Sequence, residues 1–188
     1  GGFVYLAAIL DAWSRKVGFE QVAPLKGLEG FNRSAPVSGP TYVDATIGGK
    51  RLRRGARLWS VATATFKAET YRFLRIERPS DEGEAEPSRQ GRGVSPPNAL
   101  GVQYPPGTIH LPDWIDTEWL KQLVAEQLVT VRNKRGYAHP EWQKMRERNE
   151  ALDCRVYARA AAWIMGADRW DEATWRRLEE QAGVETRP

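Results

Sequence analysis

Residues 148–164, Arg-Asn-Glu-Ala-Leu-Asp-Cys-Arg-Val-Tyr-Ala-Arg-Ala-Ala-Ala-Trp-Ile, carry the sharpest local pattern in the chain and constrain its fold most. Laid on a helix at about 100° per residue from Glu150, the side chains of Leu152, Val156, Ala160, Trp163 and Ile164 fall in one arc, from about 200° to 320°. Arg148, Arg155 and Arg159 gather on the adjoining side, at about 140° to 180°. Asp153 falls at about 300°, inside the apolar arc, and Glu150 lies one turn before it on the arc's edge. The pattern therefore predicts a helix that packs its apolar face and carries a carboxylate toward the protein.

Burying an ionised carboxylate is costly unless it is paired or bound to a metal. Two readings stay open. One is an internal salt bridge or hydrogen bond, with many arginines available. The other is a metal ligand facing a second carboxylate at a strand end. Residues 3–10, Phe-Val-Tyr-Leu-Ala-Ala-Ile-Leu, form a continuous apolar run that reads as a strand buried on both faces, and Asp11 follows it directly. A strand ending in Asp projects that side chain into the crevice at the carboxyl edge of a sheet. Carboxylates sharing Mg²⁺ or Mn²⁺ are what phosphodiester hydrolysis uses, one ion activating water and another stabilising the leaving oxygen. Hard oxygen donors favour those ions over zinc.

Composition narrows the classes. The 188 residues suffice for one domain with a real core and room for an appendage, and 41% hydrophobic with 28% charged residues is a globular balance. No run approaches the 18 or so apolar residues of a spanning helix, so no membrane role is expected. Cys154 has no second cysteine to pair with, and with His110 and His139 as the only histidines a Cys/His zinc site is not supported, which leaves an intracellular, reducing setting as the expectation. Gly48-Gly49-Lys50 lacks the earlier glycine and the following Ser/Thr of a phosphate-binding loop, so nucleotide hydrolysis is not expected. The chain opens on Gly1-Gly2 without Met, as a fragment of something longer would. Eight tryptophans, spread without a repeat period, are expected to be mostly core or half-buried packing residues.

Along the chain, residues 12–18 read as a turn or short helix and 26–56 as a Gly/Pro-rich loop with extended pieces. That loop holds Lys50, Arg51, Arg53 and Arg54, the densest positive cluster. Residues 58–65 have strand propensity, and 66–78 have helical spacing through Phe66, Thr70, Phe73 and Leu74. Residues 79–107 are polar and Gly/Pro-laden and predict a mobile loop. A short strand is expected at 108–111, then a helix capped by Asp116 and running to about residue 129, an extended piece at 129–131 and a turn at 133–136. Residues 141–165 read as helical with a break near Asn149, and 171–181 as a last helix. Strands mixed with helices predict an α/β domain.

Residues 148–158 closely resemble the C-terminal signature of phage terminase large subunits of the GpA (lambda-like) type. Val22-Ala23-Pro24-Leu25-Lys26-Gly27, the Leu58-Trp59-Ser60-Val61 strand leading to Lys67, and Ile109-His110-Leu111-Pro112 with the helix after it agree in order. The resemblance implies an RNase H-like nuclease fold, a mixed sheet flanked by helices, over residues 1–165, with 166–188 as a C-terminal helix and tail. It implies metal-dependent endonucleolytic cutting of concatemeric viral DNA in the host cytoplasm, alongside a small terminase subunit and the portal or prohead. The ATPase of such proteins lies in an N-terminal half, which would account for the missing phosphate-binding loop. Asp153 matches the family's C-terminal metal-binding acid, Glu150 precedes it in the motif, and Asp11 is the third candidate. Lys50, Arg51, Arg53, Arg54, Lys67, Arg148, Arg155 and Arg159 are the expected DNA contacts, each phosphate neutralised adding about one unit of salt dependence.

Two departures from the family pattern bear on activity. No Ile-Asp-Ser-Gly-like segment is present to supply the family's first acid, and Ala64 stands where many members have Asp three residues before the lysine. Residues 2–17 also resemble a segment of DDE insertion-sequence transposases, in which the corresponding Asp is not a metal ligand. An inactive DNA-binding remnant and a transposase-type fragment are the competing expectations.

Overall fold

The computed structural model describes residues 2–47, 49–77 and 104–183. The chain forms two compact units, one of Gly1–Phe66 with Asp153–Pro188 and the other of Lys67–Leu152. The expected loop at 79–107 lies outside the described residues up to position 103.

The first unit opens with α1 (Gly2–Val17), followed by β1 (Leu25–Leu28), β2 (Val37–Ile47) and β3 (Lys50–Ala62), which leads straight into α2 (Thr63–Phe73). The strand expected at 3–10 is thus a helix. A continuous apolar run without alternation suits either state, and length decides: the run is the first half of a 16-residue segment whose Leu and Ala residues favour helix. Arg15 and Lys16 sit in its last turn, where the helix dipole favours cations. Gly18 ends it, at φ +105°, with its N–H on the Ser14 carbonyl at 2.9 Å.

β3 is the central strand. It runs parallel to β1, with Leu25 opposite Trp59 and Leu28 opposite Ala62, and antiparallel to β2. Ala56, Leu58, Val61 and Ala62 of β3 are buried, as are Val37 and Ala45 of β2. Most of the segment expected to be loop is therefore sheet. β2 is an edge strand, and its Pro40 sits at an irregularity between Ser38 and Thr41, where a missing N–H breaks no ladder bond. A second irregularity falls between Val43 and Ala45 and lets Asp44 face the arginines of β3.

The second unit holds the rest of α2, then α3 (Thr117–Leu123), β4 (Glu126–Arg132) and β5 (Ala138–Lys144). Asp116 caps α3 through Trp119 N–H at 2.7 Å, as expected, but the helix stops at Leu123 and the chain turns into a strand. β4 and β5 pair antiparallel from Glu126 opposite Lys144 to Arg132 opposite Ala138, closed by the turn expected at 133–136. Residues 108–111 form no strand. Residues 141–144, expected to be helical, are in β5, because ladder bonds to β4 outweigh the helix propensity of Glu, Gln and Lys.

α4 (Glu150–Met165) begins at the break anticipated near Asn149. A short 3₁₀ turn (Ala167–Arg169) and α5 (Glu172–Gln181) complete the first unit, α5 capped by Asp171 through Thr174 N–H at 2.9 Å. None of the eight tryptophans is fully buried: five are half-buried, while Trp13, Trp114 and Trp175 are exposed.

One close approach holds α4 against the sheet. A Cβ on Gly27 of β1 would stand 2.9 Å from Thr63 Cγ2 and 3.0 Å from the Tyr157 hydroxyl, while Thr63 Oγ1 donates to the Leu28 carbonyl at 3.1 Å. Gly27→Ala is expected to destabilise the protein by about 1–3 kcal/mol through overpacking. Thr63→Ser, which keeps the hydroxyl and removes the methyl, should recover part of that loss in urea unfolding.

Candidate functional site

Helix α4 turns out as its periodicity demands. Leu152, Val156 and Ala160 are buried, and Asp153 among them is half-buried. One turn on, Tyr157 has its phenol pushed above the ordinary value, first by burial and then by the Asp153 charge. The Tyr157 hydroxyl lies against Gly27, near the carboxyl end of the parallel pair β1 and β3. Asp153 thus stands one helical turn from a residue that touches that strand end. Glu150 differs: its side chain is 62% exposed and pairs with Arg148 Nε at 3.4 Å. Asp11 belongs to the interior of α1 and not to a strand end, so the geometric reason for making it a ligand fails; its side chain lies outside the described residues. Among the described residues no three His, Cys, Asp or Glu side chains are grouped to hold a metal ion.

The basic residues are distributed differently from their sequence clusters. Lys50, Arg51, Arg53 and Arg54 belong to β3, and Asp44 takes up part of their charge. Arg51 donates to Asp44 through Nε and Nη2 at 3.1 and 2.8 Å, and the backbone N–H of Arg54, at φ +52°, donates to the other oxygen at 3.1 Å. The Arg51 hydrogen bond first, and then the Arg54 amide, hold the Asp44 carboxyl below its ordinary pKa. The Arg54 guanidinium lies over the Tyr42 ring, and Lys50 and Arg53 are exposed.

The arginine stripe of α4 is not one open face. Arg148 precedes the helix and is exposed, Arg155 is half-buried with its Nε lacking a hydrogen-bond partner among the described residues, and Arg159 forks onto Asp168 at 2.7 and 3.1 Å while lying over Phe66. A helical wheel gives azimuth only. It cannot see that the chain folds back after Met165 to bring Asp168 onto Arg159.

Sequence reasoning missed Glu126. It fell inside the expected helix at 116–129, yet it opens β4 with only 7% of its side chain exposed. Its Oε2 accepts from Lys67 Nζ at 2.6 Å, Lys67 being 13% exposed, and its Oε1 accepts from Asn149 Nδ2 at 2.9 Å. The Tyr71 hydroxyl closes the cluster by donating to the Glu126 carbonyl and accepting from its N–H. Burial, reinforced by the Glu126 charge and opposed by the backbone hydrogen bond, raises the Tyr71 pKa. Lys67 and Tyr71 lie four residues apart on α2, the one sequence signal that both address a common partner.

Asp153 is thus a half-buried acid on a helix whose next turn meets the end of a parallel strand pair in an α/β chain, and comparison with known proteins gives its family. Residues 8–175 match the family described as terminase large subunit gpA, endonuclease domain, and the chain belongs to that family. It is 30% identical over 179 residues to the terminase large subunit of Escherichia phage lambda, covering 92% of this chain and 23% of that one. It is 31% identical over 157 residues to the terminase large subunit of Enterobacteria phage P21, covering 84% and 20%. The chain therefore spans between a fifth and a quarter of the length of the curated relatives it matches. No solved structure gives a significant match.

Two outcomes are expected from these clusters. Lys67→Met should cost about 3–5 kcal/mol by leaving the buried Glu126 carboxyl without its ion-pair partner. Glu126→Gln on that background should return part of it in urea unfolding, since an amide needs no countercharge. The Asp44 clamp contributes stability above the ordinary carboxyl pKa and loses it as pH falls through the lowered folded value. The Arg54 amide resonance should accordingly titrate with a midpoint below 3.8, and Asp44→Asn should abolish that titration.

Proposed function

We propose that this domain hydrolyses phosphodiester bonds of double-stranded DNA with a divalent cation, Mg²⁺ or Mn²⁺, cutting concatemeric viral genomes during packaging. The carrying observation is Asp153: a half-buried carboxylate on α4, within the 148–158 segment that resembles the terminase signature, in a chain that belongs to the endonuclease-domain family.

The donor chemistry fits such an ion in part. Asp153 and Glu150 are hard oxygen donors one turn apart, and Mg²⁺ is commonly held by one or two carboxylates with water and substrate phosphates completing its shell. The described residues supply no third ligand to the pair. When bound, the ion would supply an activated water and stabilise the leaving oxygen. The chain's own residues would do the rest. Asp153 fixes the position of the reaction on α4. The exposed Arg148, Lys50 and Arg53 would bind phosphate oxygens. Lys67, paired with Glu126 at 2.6 Å and only 13% exposed, is not proposed as a swinging DNA contact.

The fold is proposed to be RNase H-like over residues 1–165, on the strength of its mixed sheet, its parallel pair β1 and β3, and the acid-bearing helix α4. Kinship further proposes the small terminase subunit and the portal as partners, and the host cytoplasm as the setting. No helix among the described residues is long and apolar enough to cross a membrane. A second reading, a DNA-binding remnant that no longer cuts, is favoured by Ala64, which stands where many members of the family have Asp.

A plasmid-nicking assay separates the two. Nicking that requires Mg²⁺ or Mn²⁺, stops with EDTA and falls at least a hundredfold in Asp153→Ala is the expected result. Absent nicking, or nicking unchanged by the substitution, would falsify the nuclease reading and leave the remnant.

A further inference from the structure

The far end of the β4–β5 hairpin lies beyond Glu126 and its partners, and among the described residues it is a uniformly basic, exposed stretch. From Gln127 to Pro140 there is no acidic residue, while Arg132, Lys134 and Arg135 crowd the turn. Every residue from 132 to 141 is exposed, Tyr137 by 69%.

The turn is built to hold its shape. Asn133 Oδ1 accepts from the backbone N–H groups of Arg135 and Tyr137 at 2.9 and 3.0 Å, and the Asn133 N–H donates to the Tyr137 carbonyl at 2.9 Å. Gly136, at φ +84°, donates to the Asn133 carbonyl at 2.8 Å, and Arg132 Nη1 braces the Gly136 carbonyl at 3.0 Å. Five hydrogen bonds thus fix a loop whose side chains meet solvent. No carboxylate among the described residues pairs with Lys134 or Arg135. The Asp44 clamp on Arg51 and the Asp168 fork on Arg159 make the contrast.

We propose that this hairpin is a DNA-engaging finger, inserted along a groove of the duplex. Lys134 and Arg135 contact phosphates and Tyr137 lies against sugar and base edges. Two physical arguments favour this partner. A two-stranded ribbon is a shape the major groove admits. A protein partner would need an apolar centre to its interface, and residues 132–141 offer one aromatic ring with only Ala138 and Pro140 beside it. The Lys134 and Arg135 contacts go to the backbone, so they position the duplex without reading its sequence. The inference rests on the nuclease reading for its choice of partner, and binding is measured apart from cutting.

The test is fluorescence anisotropy of a labelled duplex with the whole chain in EDTA, across a salt series, for the unsubstituted protein, Lys134→Gln/Arg135→Gln and Tyr137→Ala. The double variant is expected to bind at least tenfold more weakly at low salt, with the slope of log affinity against log salt reduced by about two. Tyr137→Ala should weaken binding severalfold without changing the slope. Unaltered circular dichroism and melting temperature establish that both variants fold. In the unsubstituted protein, the Gly136 and Tyr137 amide resonances should shift as duplex is added. Equal affinity and slope in the double variant overturn the proposal, as does a chain that binds no duplex. Polyglutamate competing as well as unlabelled duplex would overturn it too, by marking a general polyanion or acidic-protein surface. Hairpin-dependent binding without nicking under any metal would overturn the nuclease reading alone; nicking with hairpin-independent binding would overturn the finger alone.

Discussion

Leu152, Val156 and Ala160 are closed off from solvent along one face of α4, and that burial decides where the Asp153 carboxylate can stand. With a side chain every 100° or so, a helix that buries this stripe has no freedom left in the azimuth of Asp153. The carboxylate is carried inward whatever its own preference for water. The Tyr157 hydroxyl, one turn on, meets the backbone of β1 at a position where only glycine leaves room. Apolar packing thus sets the depth and direction of Asp153, the acid proposed above to hold a metal ion.

A second constraint runs through the cations. The chain carries 28 Lys and Arg against 24 Asp and Glu, a net of +4 that understates how unevenly the charges are used. Asp44 holds Arg51, Glu126 holds Lys67, and Asp168 holds Arg159, each within 2.8 Å. These pairs fix loops, strands and helix ends. The exposed cations Lys50 and Arg53 on β3 and Lys134 and Arg135 on the hairpin are separated in sequence but alike in having no carboxylate partner among the described residues. A polyanion would meet these exposed cations first.

Legibility in the sequence followed the strength of local signals. α4 was readable because its apolar periodicity held over many residues. The turn at 133–136 was readable from Asn-Lys-Arg-Gly. The apolar run at 3–10 was not, because strand and helix burial give the same composition, and with it went the geometric case for Asp11. β2 was hidden by Gly39 and Pro40, which an edge strand tolerates at an irregularity. β5 was hidden by residues that favour a helix in isolation and a strand only when β4 lies beside them.

What the sequence determined by itself was kinship, the α/β mixture and the inward carboxylate of α4, since each depends on residues adjacent in the chain or one turn apart. The tertiary structure alone decided which charges are paired. Glu126 meets Lys67 across 59 residues and Asn149 across 23, and no periodicity spans such distances. Lys67 entered as a surface contact for DNA and came out as half of a buried ion pair. The physical reason is general: helical and strand periods fix a side chain's direction, whereas partners and burial follow from how distant segments close the space around it.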